Sequence, residues 1–276
     1  MRVVECEGAP RDCGGDQGRA LRDAIVAACG GGGVATLWRA WRSGAEARRQ
    51  ARDVRRYFPH QAEWLEGMAR AAGVPTHALI AGLADTPETA IAVVVTDDGV
   101  RVGATAVPDS TLRRVAPEGR FGALELAAVT ASQPWLGVNA SGLVVAFAAR
   151  PGPKGRFAAP AAMLARDCLE RFEAVGPALE WCLSRPAAPG GAMLLADAAG
   201  VAAGVDFSGA ERRALPEDDG VLAFGLGDDV VAELRKQRHD LAAVERSLAA
   251  AGTPVLADPA GRLRPSAVAD WTSLEA

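Results

Sequence analysis

PETAIAVVVTDDGVRVG, residues 87–103, is the stretch from which the rest of the chain can be organised. Ala90 to Val95 is a short apolar run rich in β-branched residues, and Val100 to Gly103 is its natural partner. Asp97-Asp98-Gly99 lies between them, and glycine can take the positive φ that a tight hairpin turn requires. Taken alone, the stretch is an ordinary core hairpin. Its interest comes from the order of the elements around it.

At 276 residues, with 49% apolar and 23% charged positions, the chain can bury a large core. One domain over 1–276 is expected, with a helical part at about 15–84 and a sheet-rich part at about 89–250. The net charge of −4 and the lack of a basic stripe with interleaved aromatics argue against a nucleic-acid partner. The opening MRVVECEGAPRD is not a secretory signal, and no apolar run approaches the ~18 residues of a membrane span. Five cysteines at irregular spacing, with no CxxC pair, fit neither a disulfide framework nor a zinc site. They read as reduced thiols of a cytoplasmic protein. His60, His77 and His239 share no metal-ligand spacing, and no cofactor is implied.

Val3 to Cys6 reads as a strand, followed by a glycine-punctuated turn, GAPRDCGGDQG, that lacks the GxGxxG or GKS/GKT spacing of a phosphate loop. Helices follow at Gln17–Ala28, stopped by Gly30 to Gly33, and at Ala45–Tyr57. Another at Gln61–Ala72 carries Trp64, Leu65 and Met68 on one stripe, and Pro75 opens a further one. Past the hairpin, strands are expected at Ala123–Thr130 and Leu143–Phe147, with a tight turn between them around Asn139. Helices at Ala159–Phe172 and Gly176–Leu183 precede a second hairpin, Met193–Ala196 with Val201–Phe207. A strand at Val221–Phe224, a long helix at Val230–Ala250 and a tail of weak periodicity complete the chain. Helices first and antiparallel hairpins afterwards indicate an α+β layered fold.

This order resembles the acyl-CoA:6-aminopenicillanate (isopenicillin-N) acyltransferase-like family of the N-terminal nucleophile hydrolases. The resemblance is carried by Gly8-Ala9-Pro10 with Gly14 and Gly18, by Tyr57-Phe58-Pro59, and by Glu66-Gly67-Met68-Ala69 with Gly73-Val74-Pro75. It continues through Thr89-Ala90-Ile91-Ala92-Val93, where the family places its nucleophile, and Gly137-Val138-Asn139-Ala140-Ser141-Gly142-Leu143. Arg166 in the helical pair and the 197–207 hairpin also match, so that residues 3–250 are covered in order. It implies a four-layer αββα sandwich and chemistry on amides: a precursor cuts itself before a Cys, whose freed amine and thiol act as base and nucleophile. Asn139 would belong to the donors that stabilise the oxyanion.

The chain departs from that pattern where the chemistry would occur, because no cysteine lies between Cys29 and Cys168. Three alignments are open: Glu88 in the place of the Cys; Thr89 as its counterpart; or Glu88 as the acid that ends the preceding helix, linker and Cys both being deleted. A polar Asn-Trp-Asp segment is replaced by Ala104 to Asp109, and a polar Thr-Asn-His segment by Phe224-Gly225-Leu226-Gly227. The expectation is a relative that is not self-cleaved and binds an amide- or acyl-bearing small molecule. Glu88, Thr89 and Asn139 would be its catalytic remnants, and Asp109 and Trp135 would contact the ligand. The alternative is an active amidohydrolase or acyltransferase that uses Thr89 after cleavage at Glu88–Thr89. A third reading is a structural protein whose cleft is filled by Trp135 and Phe224.

Overall fold

The computed structural model describes residues 3–30, 44–83, 89–107, 109–153, 155–209, 211–215, 219–265 and 270–274. The hairpin forms as its sequence dictates. Strand β2 (Ile91–Thr96) pairs antiparallel with β3 (Gly99–Ala104) in a register that sets Val93 against Val102 and Thr96 against Gly99. Gly99 has φ +126°, and the Thr96 hydroxyl donates to its carbonyl at 2.6 Å.

Around this hairpin a six-stranded sheet runs in the order β11-β2-β3-β12-β13-β14, using β11 (Val221–Phe224), β12 (Val255–Asp258), β13 (Arg262–Arg264) and β14 (Thr272–Ser273). An eight-stranded sheet lies against it, in the order β1-β4-β5-β6-β7-β8-β9-β10. Its strands are β1 (Val3–Gly8), β4 (Ser110–Pro117), β5 (Ala123–Ala128), β6 (Leu136–Asn139), β7 (Val144–Ala148), β8 (Ala192–Ala196), β9 (Ala202–Asp206) and β10 (Arg213–Leu215). β1 pairs parallel with β4; the other recorded pairings are antiparallel.

The period-2 alternation of side chains separates three cores. Ile91, Val93 and Val102 face Leu124, Leu126, Val144 and Ala146 in the layer between the sheets. Ala92, Val94 and Val221 point the other way, onto α8 (Asp228–Gln237) and α9 (Leu241–Ala250) through Leu234, Val244 and Leu248. On the far side of the larger sheet, Val145, Phe147, Met193 and Leu195 meet the remaining helices. These are α1 (Pro10–Ala20), α2 (Arg22–Ala28), α3 (Gly44–Tyr57), α4 (Pro59–Ala72), α5 (Thr76–Gly82), α6 (Met163–Arg171) and α7 (Val175–Ser184). The fold is a four-layer αββα sandwich.

Three expectations are corrected. GAPRDCGGDQG is not a turn: Pro10 starts helix α1, and the glycines let it touch α4 backbone to backbone. A Cβ on Gly14 would lie 2.0 Å from the Trp64 carbonyl oxygen, and one on Gly67 would lie 2.0 Å from that of Arg11. The long helix at 230–250 is two helices, broken where the Asp240 side chain caps α9 by accepting from the Ala243 amide at 3.1 Å. The weakly periodic tail supplies β12, β13 and β14. Gly31 to Gly33, Ala84 to Pro87, and Glu88 lie outside the described residues.

Candidate functional site

Strand registers gather the start of β2, the ends of β3, β7 and β11, and the starts of β4 and β6 at one rim of the sandwich. Thr89, two residues before β2, bridges the two sheets there. Its amide donates to the Ala149 carbonyl at 3.4 Å, and its Oγ1 accepts from the Ala149 amide at 3.2 Å. Thr105 fixes the neighbouring backbone: its Oγ1 accepts from the Ala90 amide at 3.1 Å, and its own amide donates to the Ala90 carbonyl at 2.9 Å. Gly225 presses on this group at φ +79°, where a Cβ would come within 3.0 Å of the Thr89 carbonyl oxygen. Among the described residues, no carboxylate or imidazole is hydrogen-bonded to Thr89 Oγ1.

Beside Ala149 opens a cavity of about 340 Å³, in the lower range of small-molecule sites. Leu83, Phe147, Pro160 and Pro189 make its walls largely apolar, and Gln50 and Arg150 supply side-chain polarity. Gln50, on α3, is 6% exposed, and its amide bonds to none of the described residues. That amide opens onto the cavity, where a ligand can bond it directly. Arg150 is exposed at the mouth, lies 4.7 Å over the Phe224 ring and has no ion-pair partner among the described residues. Phe224 therefore packs under a guanidinium, and the space beside it stays open.

The residues expected from the sequence do not all come together here. Trp135 shares the rim but is 7% exposed, packs in the layer between the sheets, and donates its indole N–H to Ser110 Oγ at 2.9 Å. Asp109 is an exposed turn residue with φ +53°, whose carbonyl accepts from the Val129 amide. Neither lines the cavity. Asn139 belongs to the opposite rim, beyond the start of β7, whereas Ala149 follows its end; five strand residues, roughly 17 Å, separate them. Its side chain is fully engaged, accepting from the Ser141 and Leu143 amides at 3.0 and 2.9 Å and donating to the Leu169 and Phe172 carbonyls at 2.9 and 2.8 Å. Asn139 is thus not an oxyanion donor to Thr89 but the clamp of the β6–β7 turn against the end of α6. Gln50 and Arg150 were missed. The available signals were a lone Gln in an arginine-rich helix and an Arg between an apolar strand and PGPKG.

Beneath the larger sheet lies a buried ionic cluster. Arg113 on β4 and Arg166 on α6 both bond Glu125 Oε2, at 2.6 and 2.7 Å, and Arg166 also reaches Glu170 at 3.2 Å. Burial works against both guanidinium charges. It prevails at Arg113, whose pKa is lowered, whereas Glu125 and Glu170 together raise that of Arg166. His60 approaches Asp167 of this region at 2.9 Å. Two cysteines nearby are poor nucleophiles. Burial pushes the Cys6 thiol up to about 11 and that of Cys13 to about 12. No group of three potential metal ligands occurs among the described residues.

No protein family and no curated protein matches the sequence. Among solved structures, a variant of conjugated bile acid hydrolase from Clostridium perfringens is similar, with a TM-score of 0.41 and 14% identity over 54% of this chain and 57% of its own. Penicillin V acylase from Agrobacterium tumefaciens has a TM-score of 0.37 and 13% identity, over 49% of this chain and 51% of its own. The chain thus matches little more than half the length of these structures. At such scores the likeness carries no weight for the site, and the four-layer description rests on the sheets and cores above. No helix among the described residues is long and apolar enough to cross a membrane.

Proposed function

We propose that the chain is an amide-hydrolase-like protein, without the Cys nucleophile of the family it resembles, that binds a small amide- or acyl-bearing molecule in the cavity beside Thr89. The observation that carries this reading is the amide of Gln50, bonded to none of the described residues and open to an apolar cavity adjoining the strand entry. Gln50 can pair with an amide group of a ligand, and the apolar walls suit its acyl portion. Arg150, at the mouth, favours an anionic substituent. The test is a thermal-shift and calorimetric screen with simple N-acyl amides. A saturable shift that is lost in Gln50→Ala supports the reading; binding that Gln50→Ala leaves unchanged, or no binding by any such amide, overturns it.

A second reading has one observation in its favour. The Thr89 hydroxyl accepts from the Ala149 amide, and its own proton is bonded to no described residue. After cleavage of Glu88–Thr89, the freed α-amine could take that proton as Oγ1 attacks an amide carbonyl. The proton would then return to the departing amine, and water would release the acyl group from the resulting ester. Intact mass decides between the two: one 28.5 kDa species excludes the cleaved enzyme, and a new amino terminus at residue 89 establishes it.

A further inference from the structure

A second cavity, of about 650 Å³, lies on the other side of Pro189, between Pro153 and Phe157, the end of α7, and Phe207, Gly209 and Arg212. Three guanidinium groups line it: Arg156, Arg185 and Arg212. Each lies over an aromatic ring: Arg156 over Phe157 at 5.5 Å, Arg185 over Trp181 at 4.8 Å, and Arg212 over Phe207 at 5.4 Å. Stacking of this kind holds the planar fork in place and leaves its edge N–H groups for an acceptor.

Their present acceptors are few and neutral. Arg212 donates to the Cys182 and Ala187 carbonyls at 2.6 and 3.3 Å, and Arg185 to the Tyr57 carbonyl at 2.5 Å. The Nε of Arg185 is buried without a hydrogen bond. Among the described residues, no carboxylate is within ion-pair distance of any of the three. Glu211 and Asp206 line a separate depression, and Asp206 accepts from the Ser208 amide. Arg49, at the rim, adds a fourth cation, bonded among the described residues to the Gly155 and Arg156 carbonyls. The end of α7 offers roughly half a negative charge, far less than these guanidiniums carry. In a chain whose net charge is −4, such a local excess of unpaired positive charge is a departure from the average.

We infer that this cavity binds a phosphate-bearing small molecule, the dianionic group held among Arg156, Arg185 and Arg212. A phosphate presents three terminal oxygens to three forks, whereas a carboxylate satisfies one fork bidentately and leaves the others unmatched. The volume exceeds what a bare phosphate fills. Phe157, Pro186 and the 37%-exposed Leu183 supply apolar surface for the organic remainder. Burial lowers the pKa of Arg212 with no carboxylate opposing it, the cost expected of a desolvated cation awaiting its anion.

The probes are inorganic phosphate and inorganic pyrophosphate, titrated calorimetrically into the full chain, with acetate at matched ionic strength as the control. Saturable binding of the phosphates and none of acetate is expected. Arg212→Gln and Arg156→Gln should each weaken it by about tenfold, the loss of one charge-assisted pair. Arg156 is exposed, so its variant tests the site without endangering the fold. Absence of saturable phosphate binding overturns the inference. So does equal binding of acetate, or affinity unchanged in both variants. Gln50→Ala should leave phosphate binding intact, so that failure here and failure at the cavity beside Thr89 are told apart.

Discussion

Replacing Glu125 by Gln perturbs the buried ionic cluster with almost no change of shape. Both Arg113 and Arg166 are fully buried and converge on one oxygen of Glu125, itself 1% exposed. Removing one partner of a buried pair costs about 3–5 kcal/mol, because the remaining charge is left uncompensated. Here two charges are left, but each keeps other acceptors. Arg113 retains Gln17 Oε1 at 2.7 Å and the Ala131 carbonyl at 2.8 Å; Arg166 retains the Ser132 carbonyl at 2.7 Å and Glu170. The Gln amide also keeps an oxygen acceptor, so the lower end, about 3 kcal/mol, applies. At about 2–4 °C per kcal/mol for a chain of this size, melting should fall by about 6–12 °C. Thermal and urea denaturation followed by circular dichroism measures both quantities. Glu5→Gln, which breaks the exposed pair with Arg114 at 3.2 Å, is the control and should change stability by less than about 1 kcal/mol. If Glu125→Gln melts with its control, the cluster is not holding the helical layer to the sheet and the reasoning is refuted.

Gly67→Ala should destabilise by about 2 kcal/mol or more despite its better helix propensity, because the new Cβ meets the Arg11 carbonyl at 2.0 Å; urea midpoints check this, and a neutral outcome would deny the backbone contact. Asn139→Ala should cost about 3 kcal/mol while leaving ligand binding at the Thr89 rim unchanged in the remaining folded protein. A selective loss of binding would return Asn139 to the site. Burial holds the folded-state pKa values of Cys6 and Cys13 above the ordinary thiol value of 9.0, at about 11 and about 12. Their contribution to stability is therefore complete below pH 9 and is lost as pH rises through the folded values, since the unfolded thiols ionise first. The urea midpoint should decline over that range, and less steeply in Cys6→Ala; identical slopes would count against it.

The apolar, β-branched run of Ile91 to Val95 and the Asp-Gly turn were enough to place the hairpin, and Trp64, Leu65 and Met68 fell on the buried face as their spacing demanded. Local pattern carries that information. The glycines of α1 misled because their purpose, contact with α4, depends on a partner some 50 residues away. β12 to β14 were illegible because they are three short strands stabilised by pairing with β3 and with each other. The site was half legible. Thr89 was placed at the strand entry by resemblance, but Asn139, polar and flanked by glycine, has the same sequence appearance as a catalytic donor and as a turn clamp. Only strand register separates the two. Gln50 and Arg150 acquire meaning from what they fail to bond, which no linear pattern records.

β2 and β3 lie inside the six-stranded sheet, yet both their outer partners arrive late: β11 flanks β2, and β12, roughly 150 residues downstream, flanks β3. On a ribosome adding ~5–20 residues per second, the hairpin emerges with both edges open for ~6–24 s and the β3 edge open for ~8–30 s. Throughout that interval Val93 and Val102, which end in the dry layer between the sheets, have no mate for one flank. Two nascent strands with unpaired edges are templates for pairing with copies on neighbouring polysomes, and expression at low temperature or with a holdase should raise soluble yield.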